Sequence, residues 1–274
     1  MELKQNFWKN KKIFVTGHNG FKGSWLSLWL YELGTKIFGY SLKPATQPNL
    51  YSILNLDNKI NSENGDIRDY NKLNEKISIV KPEILIHMAA QPLVRDSYLD
   101  PVYTYETNIM GTVNVLDIAR KTDSIKSILV ITSDKCYENI EKNYYYKESD
   151  SLGGHDPYSS SKGSADIVAS AYYNSFFLKK GIGLSIARAG NIIGGGDWSK
   201  DRIIPDAMRA FASKKDLIIR SPNSVRPWQF ILDPLFGYLL LIEKLSENPT
   251  DFSGPWNFGP KKGTDQSVKF ICDK

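Results

Sequence analysis

The chain has 274 residues, 41% hydrophobic and 24% charged, with six Trp, fifteen Tyr and twelve Phe, a composition that excludes disorder and supports a sizeable core. A formal charge of +5 over that length is too mild for a nucleic-acid surface and suits a small anionic ligand. Two cysteines make no disulfide framework and no metal-ligand spacing, the amino terminus lacks an apolar secretory core, and no apolar run reaches the roughly 18 residues of a membrane span, so the chain reads as cytoplasmic.

In chain order, KKIFV (11–15) is an apolar strand that enters a glycine-rich turn. Phe21, Trp25, Trp29 and Leu33 then recur every four residues, the apolar face of a helix over 21–33 stopped by Gly34. TKIFGYS (35–41) is the next strand, and a third is expected near 61–65. Further strands are predicted at 83–88, 127–133 and 182–188, alternating with helices at 69–80, 101–121 and 157–180. Two of those helices open with Asp-Pro, an N-cap followed by the residue best tolerated at the first helical position. The alternation predicts an α/β fold of the Rossmann type, a doubly wound parallel sheet. After about 190 the rhythm breaks into GGGDW, RSPNSVRPW and FSGPWNFGP, so a dinucleotide-binding domain over 1–190 and a smaller substrate lobe over 191–274 are expected, with a strand near 255–259 returning to the sheet.

Four clusters carry chemistry. Gly17, Gly20 and Gly23, with Asn19, Phe21 and Lys22 between them, follow the first strand and open the first helix. Glycines so spaced keep the turn tight and let backbone N–H groups approach a pyrophosphate. The acidic residue expected some 20 positions on, to hold a ribose, is absent; Tyr40, Ser41 and Lys43 stand there, and this position leaves NAD and NADP undecided. Asp66 and Ile67 follow the third strand, where the carboxylate is placed either to accept from an adenine amino group or to lie in a solvated turn. Ala89, Ala90 and Gln91 follow the fourth, small enough for a dinucleotide to approach, whereas His87 before them reads as a satisfied core histidine. Finally, Tyr158 and Lys162 stand at i and i+4 on one helix, after a strand that ends in Ser133. A phenol is a poor base near neutrality unless a nearby cation lowers its pKa.

Taken together, TGHNGFKG, GDIRD, HMAAQP, TSDKCYEN, PYSSSK and ARAGNIIGGGDW resemble the extended short-chain dehydrogenase/reductase superfamily, and within it the CDP-glucose 4,6-dehydratases. The resemblance implies a lyase that uses NAD transiently to dehydrate CDP-glucose to CDP-4-keto-6-deoxyglucose, in deoxysugar synthesis for surface polysaccharide such as the O-antigen of lipopolysaccharide. It implies Tyr158, Lys162 and Ser133 at the sugar 4-hydroxyl, Asp134 as general acid and Lys135 as base, the base made neutral by burial or a neighbouring cation. It implies Asn108 as support for Lys162 through backbone and water, and Asn191, Trp198, Arg202 and Arg226 as nucleotide-sugar contacts. A homodimer is implied, with neither nucleic acid nor membrane as partner. Alternatives left open are a dehydratase or epimerase for a dTDP-, UDP- or GDP-sugar, and a catalytically silent dinucleotide sensor. Family members continue past the point where this sequence ends, so an incomplete nucleotide-sugar pocket is also expected.

Overall fold

The computed structural model describes residues 2–140, 142 and 144–274. Its centre is a seven-stranded, wholly parallel sheet built from β1 (Lys12–Thr16), β2 (Lys36–Ser41), β3 (Asn61–Asn64), β4 (Ile84–His87), β5 (Ser127–Ile131), β6 (Gly183–Ala189) and β7 (Gly254–Phe258). The order across the sheet is β7-β6-β5-β4-β1-β2-β3. The direction of winding reverses between β1 and β4, the place where α/β sheets open a crevice at their carboxyl ends.

Alternation along the central strands feeds two cores. Ile13, Val15, Ile84, Ile86, Leu129 and Ile131 face one side; Phe14, Leu85, Ile128, Val130, Leu184 and Ile186 face the other. The first side is closed by α1 (Phe21–Glu32) through Leu26 and Leu30, the second by α2 (Tyr70–Val80) through Leu73 and Ile77. Burial on both faces is what lets a parallel sheet be a continuous apolar run. Gly34 follows α1 at φ +78, the left-handed stop its place in the sequence predicts.

Differences from the expected elements have physical causes. The stretch expected as one helix over 101–121 is α4 (Pro101–Tyr105), a π-helical turn (Glu106–Met110) and α5 (Gly111–Ala119). Likewise α6 (Pro157–Tyr172) continues through a π turn (Tyr173–Phe177) rather than as a regular helix to 180. Both Asp-Pro starts are capped as expected: Asp100 accepts from Tyr103 N and Asp156 from Ser159 N, each at 2.9 Å. A short helix, α3 (Val94–Leu99), precedes Asp100 where no element is expected.

In the carboxyl-terminal part, α7 (Ile203–Ala212) lies outside the sheet. However, α8 (Leu232–Glu247) packs Leu235, Tyr238, Leu239 and Ile242 into the same core as α1. Neither helix is among the expected elements. Thus β6, α8 and β7 repeat the strand–helix–strand unit, and the chain leaves the sheet for the lobe between β6 and α8 and again after β7, where Gln266–Ser267 pairs with Val225–Arg226. Among the described residues, no helix is long and apolar enough to cross a membrane.

Candidate active site

The glycine-rich turn lies between β1 and α1. Gly17 has φ +75, and a Cβ there would stand 2.6 Å from Ala89 N; a Cβ on Gly23 would stand 2.1 Å from Gly17 O. These two glycines let β1, β4 and α1 converge. Gly20 is the N-cap of α1, with no side-chain cap, so the first-turn N–H groups are left for a ligand. Asn19 Nδ2 donates to Leu42 O at 2.6 Å, tying the turn to the end of β2. Beside it is a cleft of about 390 Å³, lined by Asn19, Ser41, Lys43, Tyr51, Ser62 and others, at the position where the ribose carboxylate is missing.

His18, which the motif reading passes over, braces this wall. Its ring nitrogens meet Ser41 Oγ at 3.0 Å and Ser62 Oγ at 2.8 Å, and burial pushes its pKa down to about 4. His87 is the core histidine expected. Thr16 Oγ1 accepts from Met88 N and Ala89 N, so its hydroxyl proton points to His87 Nδ1 at 2.7 Å. The ring then donates from Nε2 to Thr112 Oγ1, whose own proton goes to Asn108 O. Every partner is satisfied by a neutral ring, and burial lowers its pKa to about 3.

Asn108 joins the loop after β4 to α6. Its Oδ1 accepts from Gln91 N at 2.8 Å, and its Nδ2 donates to Gln91 O and Ser161 Oγ. It therefore pins the Ala89–Gln91 loop to α6, with Ser161 Oγ in turn donating to Tyr158 O. Asp66 is held by Arg68, which donates from Nε and Nη2 to Oδ2. Ile67 is buried against Gly111, so only its backbone is open to a ligand.

At the carboxyl end of β5, Ser133 caps a tight turn over 134–136: its hydroxyl accepts from Lys135 N and donates to Asp134 Oδ1 at 2.9 Å. Asp134 packs against the backbone at Gly190, where a Cβ would come 2.9 Å from Oδ2. Burial holds the Asp134 carboxyl above its ordinary range, against the opposing pull of Ser133 and nearby cations. Tyr158 and Lys162, one turn apart on α6, are both buried. Lys162 Nζ points to Ile131 O at 3.5 Å, and burial lowers its pKa to about 8. The expected lowering of the Tyr158 pKa is not found in the free chain: burial raises it to about 12, only partly offset by the Ser133 hydroxyl and the charge of Arg202.

Two cations outside the Tyr/Lys pair belong to this centre. Burial and the like charges of Lys162 and Arg202 bring the Lys22 pKa down to about 7, against the opposing pull of Asp134. Arg202 Nη1 donates to Asp197 Oδ2 at 2.9 Å, and its charge acts on Tyr158. Lys135 is exposed, so the burial expected to favour its neutral form is missing in the free chain. Asn191 offers its carbonyl to Gln229 N, and Trp198 its carbonyl to Arg209. Arg226 is exposed and donates to Val225 O. The fold thus brings Ser133, Asp134, Tyr158, Lys162, Lys22 and Arg202 together, while the bonds of Asn191 and Trp198 are backbone ones and Arg226 lies exposed.

Comparison with known proteins agrees with this layout. A sequence model of the family described as GDP-mannose 4,6 dehydratase matches residues 14–253. The chain is 52% identical over 277 aligned residues to the CDP-glucose 4,6-dehydratase of Salmonella typhimurium, covering 99% of this chain and 77% of that protein. In fold it resembles the dTDP-glucose 4,6-dehydratase of Bacillus anthracis solved in complex with NAD, at TM-score 0.79 and 23% identity, over 96% of this chain and 79% of that one. A dTDP-glucose 4,6-dehydratase of Streptomyces venezuelae, solved with NAD and TYD bound, superposes at TM-score 0.80 and 22% identity, over 95% of this chain and 79% of that one. A parallel sheet wound about a glycine-rich turn, a Ser/Tyr/Lys centre at its carboxyl end and a match spanning residues 14–253 place the chain in the GDP-mannose 4,6 dehydratase family.

Proposed function

We propose that the chain dehydrates CDP-glucose to CDP-4-keto-6-deoxyglucose. The observation that carries this is the convergence of Ser133, Asp134, Tyr158 and Lys162 at the end of β5, beside the glycine-rich turn. Support comes also from the 52% identity to a CDP-glucose 4,6-dehydratase.

The turn fits NAD on the structure's own terms: Gly17 and Gly23 are required by close backbone approach, and the start of α1 has no side-chain cap. Gly17, Asn19, Gly20, Phe21, Lys22 and Gly23 would hold the pyrophosphate side. Asp66, Ile67, Ala89, Ala90 and Gln91 would line the remainder, Asn108 fixing their backbone, with Tyr158 and Lys162 at the reactive end. Bound NAD supplies a reversible hydride acceptor, so the reaction is a lyase reaction with no net redox change.

Tyr158 takes the proton of the sugar 4-hydroxyl, helped by Ser133 and by the charges of Lys162 and Arg202. The 4-keto group so formed acidifies the C5 proton, which Lys135 removes. Asp134, whose raised pKa keeps a proton available, delivers it to the departing 6-hydroxyl. Asn191, Trp198, Arg202 and Arg226 bind the nucleotide diphosphate from the lobe, and residues 1–190 together with α8 and β7 form the dinucleotide-binding domain.

The setting proposed is cytoplasmic supply of a deoxysugar for O-antigen lipopolysaccharide, with no nucleic-acid or membrane partner. A homodimer is supported by the outward apolar faces of α3, α4 and α6, where Tyr98, Leu99, Val102 and Ile167 are exposed. Turnover of CDP-, dTDP-, UDP- and GDP-glucose, read by the alkali-induced ultraviolet absorbance of a 4-keto-6-deoxy sugar, tests the activity. Best turnover of another nucleotide sugar would overturn the cytosine assignment.

A further inference from the structure

Beside Tyr158, two short charged segments meet across the mouth of the site. Arg95 and Asp96 lie in the first turn of α3; Lys200 and Asp201 lie in the loop that enters α7. Arg95 Nη1 is 2.7 Å from Asp201 Oδ1, and Lys200 Nζ is 3.0 Å from Asp96 Oδ1. Two adjacent residues of opposite sign thus pair with two adjacent residues of opposite sign. Arg220 approaches Asp201 as well, at 3.5 Å. A slip of one residue would set Arg95 on Lys200 in one direction, or Arg95 on Arg202 and Asp96 on Asp201 in the other, so the pairing specifies its own register. Asp201 makes its pair with Arg95 from the left-handed region, at φ +58.

Both halves of this lattice join the reaction centre. Ser97, next after Asp96, accepts the Tyr158 N–H at 3.2 Å where α6 begins. Arg202, next after Asp201, brings its charge to bear on Tyr158 and Lys22. A single exposed ion pair is a weak device. Here two pairs in fixed register connect the segment that seats Tyr158 to the loop that carries Arg202.

We propose that Arg95, Asp96, Lys200 and Asp201 form a latch across the cleft, positioning residues that tie the loop carrying Arg202 to the segment seating Tyr158 during turnover. The kinetic consequence rests on the dehydratase reading; the latch itself does not. It acts on the chemical step rather than on encounter with substrate, so its loss lowers kcat more than it raises KM.

The test uses Asp96→Lys, Lys200→Asp and the two combined in the full chain, with circular dichroism confirming that each variant folds. Amide hydrogen exchange over 94–99 and 197–203 is measured without substrate, and kcat and KM with CDP-glucose. Each single variant should speed exchange in both segments and lower kcat roughly threefold to thirtyfold, and the combination should recover most of both. Steering of an anionic substrate by net charge would instead move the two single variants in opposite directions in kcat/KM, and that result overturns the latch. So does unchanged exchange in both single variants, or a combination no better than the worse of them. Should wild type fail to turn over CDP-glucose, the dehydratase reading falls while the exchange measurements still decide the latch.

Discussion

Replacing Asp166 by Asn should destabilise the protein by about 3–5 kcal/mol, the range for removing one partner of a buried ion pair. Arg188 is the penultimate residue of the buried β6 and donates from Nε and Nη2 to Asp166 at 2.8 and 2.7 Å, with side-chain exposures of 3% and 0%. Its remaining nitrogen, Nη1, donates to Tyr137 OH and Glu148 O. Asparagine keeps the shape but removes the counter-charge, so a guanidinium would stay in the core with only neutral acceptors. Urea unfolding followed by circular dichroism measures the loss directly; by heat it should appear as roughly 6–20 °C in Tm. The damage should reach the site, because Arg188 also stacks on the Tyr137 ring at 4.9 Å, and Tyr137 directly follows the turn that carries Asp134 and Lys135. A leucine at 166 combined with methionine at 188 should be far milder than Asp166→Asn, since an apolar pair carries no orphaned charge. A loss under about 1 kcal/mol in Asp166→Asn would refute the reasoning, for it would mean that water already reaches Arg188.

Lys135→Met should cut release of 4-keto-6-deoxy sugar by about 10²–10⁴-fold, and turnover within a few-fold of wild type would pass the base to Asp134 or a water. Gly17→Ala must place a Cβ 2.6 Å from Ala89 N at φ +75, so NAD affinity measured by calorimetry should collapse with stability; unchanged binding would show that the turn relaxes freely. The two buried histidines give a pH dependence of defined sign. Their folded pKa values, about 4 for His18 and about 3 for His87, lie below the ordinary 6.5, so the unfolded chain takes up protons first. Their contribution is therefore whole above pH 6.5 and is lost as pH falls below it, each steepening the decline towards about 1.4 kcal/mol per unit. Urea midpoints for wild type and His87→Asn between pH 6.5 and 5 should show the smaller slope in the variant, and equal slopes would mean that the ring is charged in the fold.

Much of the scaffold is a local property of the chain. Apolar runs at 12–16, 84–87 and 127–131, separated by helices with fourfold spacing or Asp-Pro caps, can bury both faces only in a parallel sheet, so the strand–helix order was legible from periodicity. The glycine-rich turn was legible for the same reason: close approach of three elements forbids a Cβ at Gly17 and Gly23 whatever lies elsewhere. Spacing also placed Tyr158 and Lys162 on one helix face.

Tertiary structure decided what depends on residues remote in sequence. Whether Tyr158 is a strong or weak acid turns on burial against the reach of Lys162, whose ammonium goes to Ile131 O, and no i, i+4 rule contains that. Asn108 proved to be the pin between the Gln91 loop and Ser161, partners 17 and 53 positions away. Lys22 joins the Asp134 centre only because the turn after β1 and the turn after β5 open on the same end of the sheet. The helix at 232–247 escaped notice because the glycine- and proline-rich chain before it suggests departure from the sheet, and only the core can show that Leu235, Tyr238 and Leu239 return to it. Backbone preference and hydrophobic period act over a few residues and can be read from one; burial and charge fields sum over every neighbour in space, and those neighbours exist only once the chain has folded.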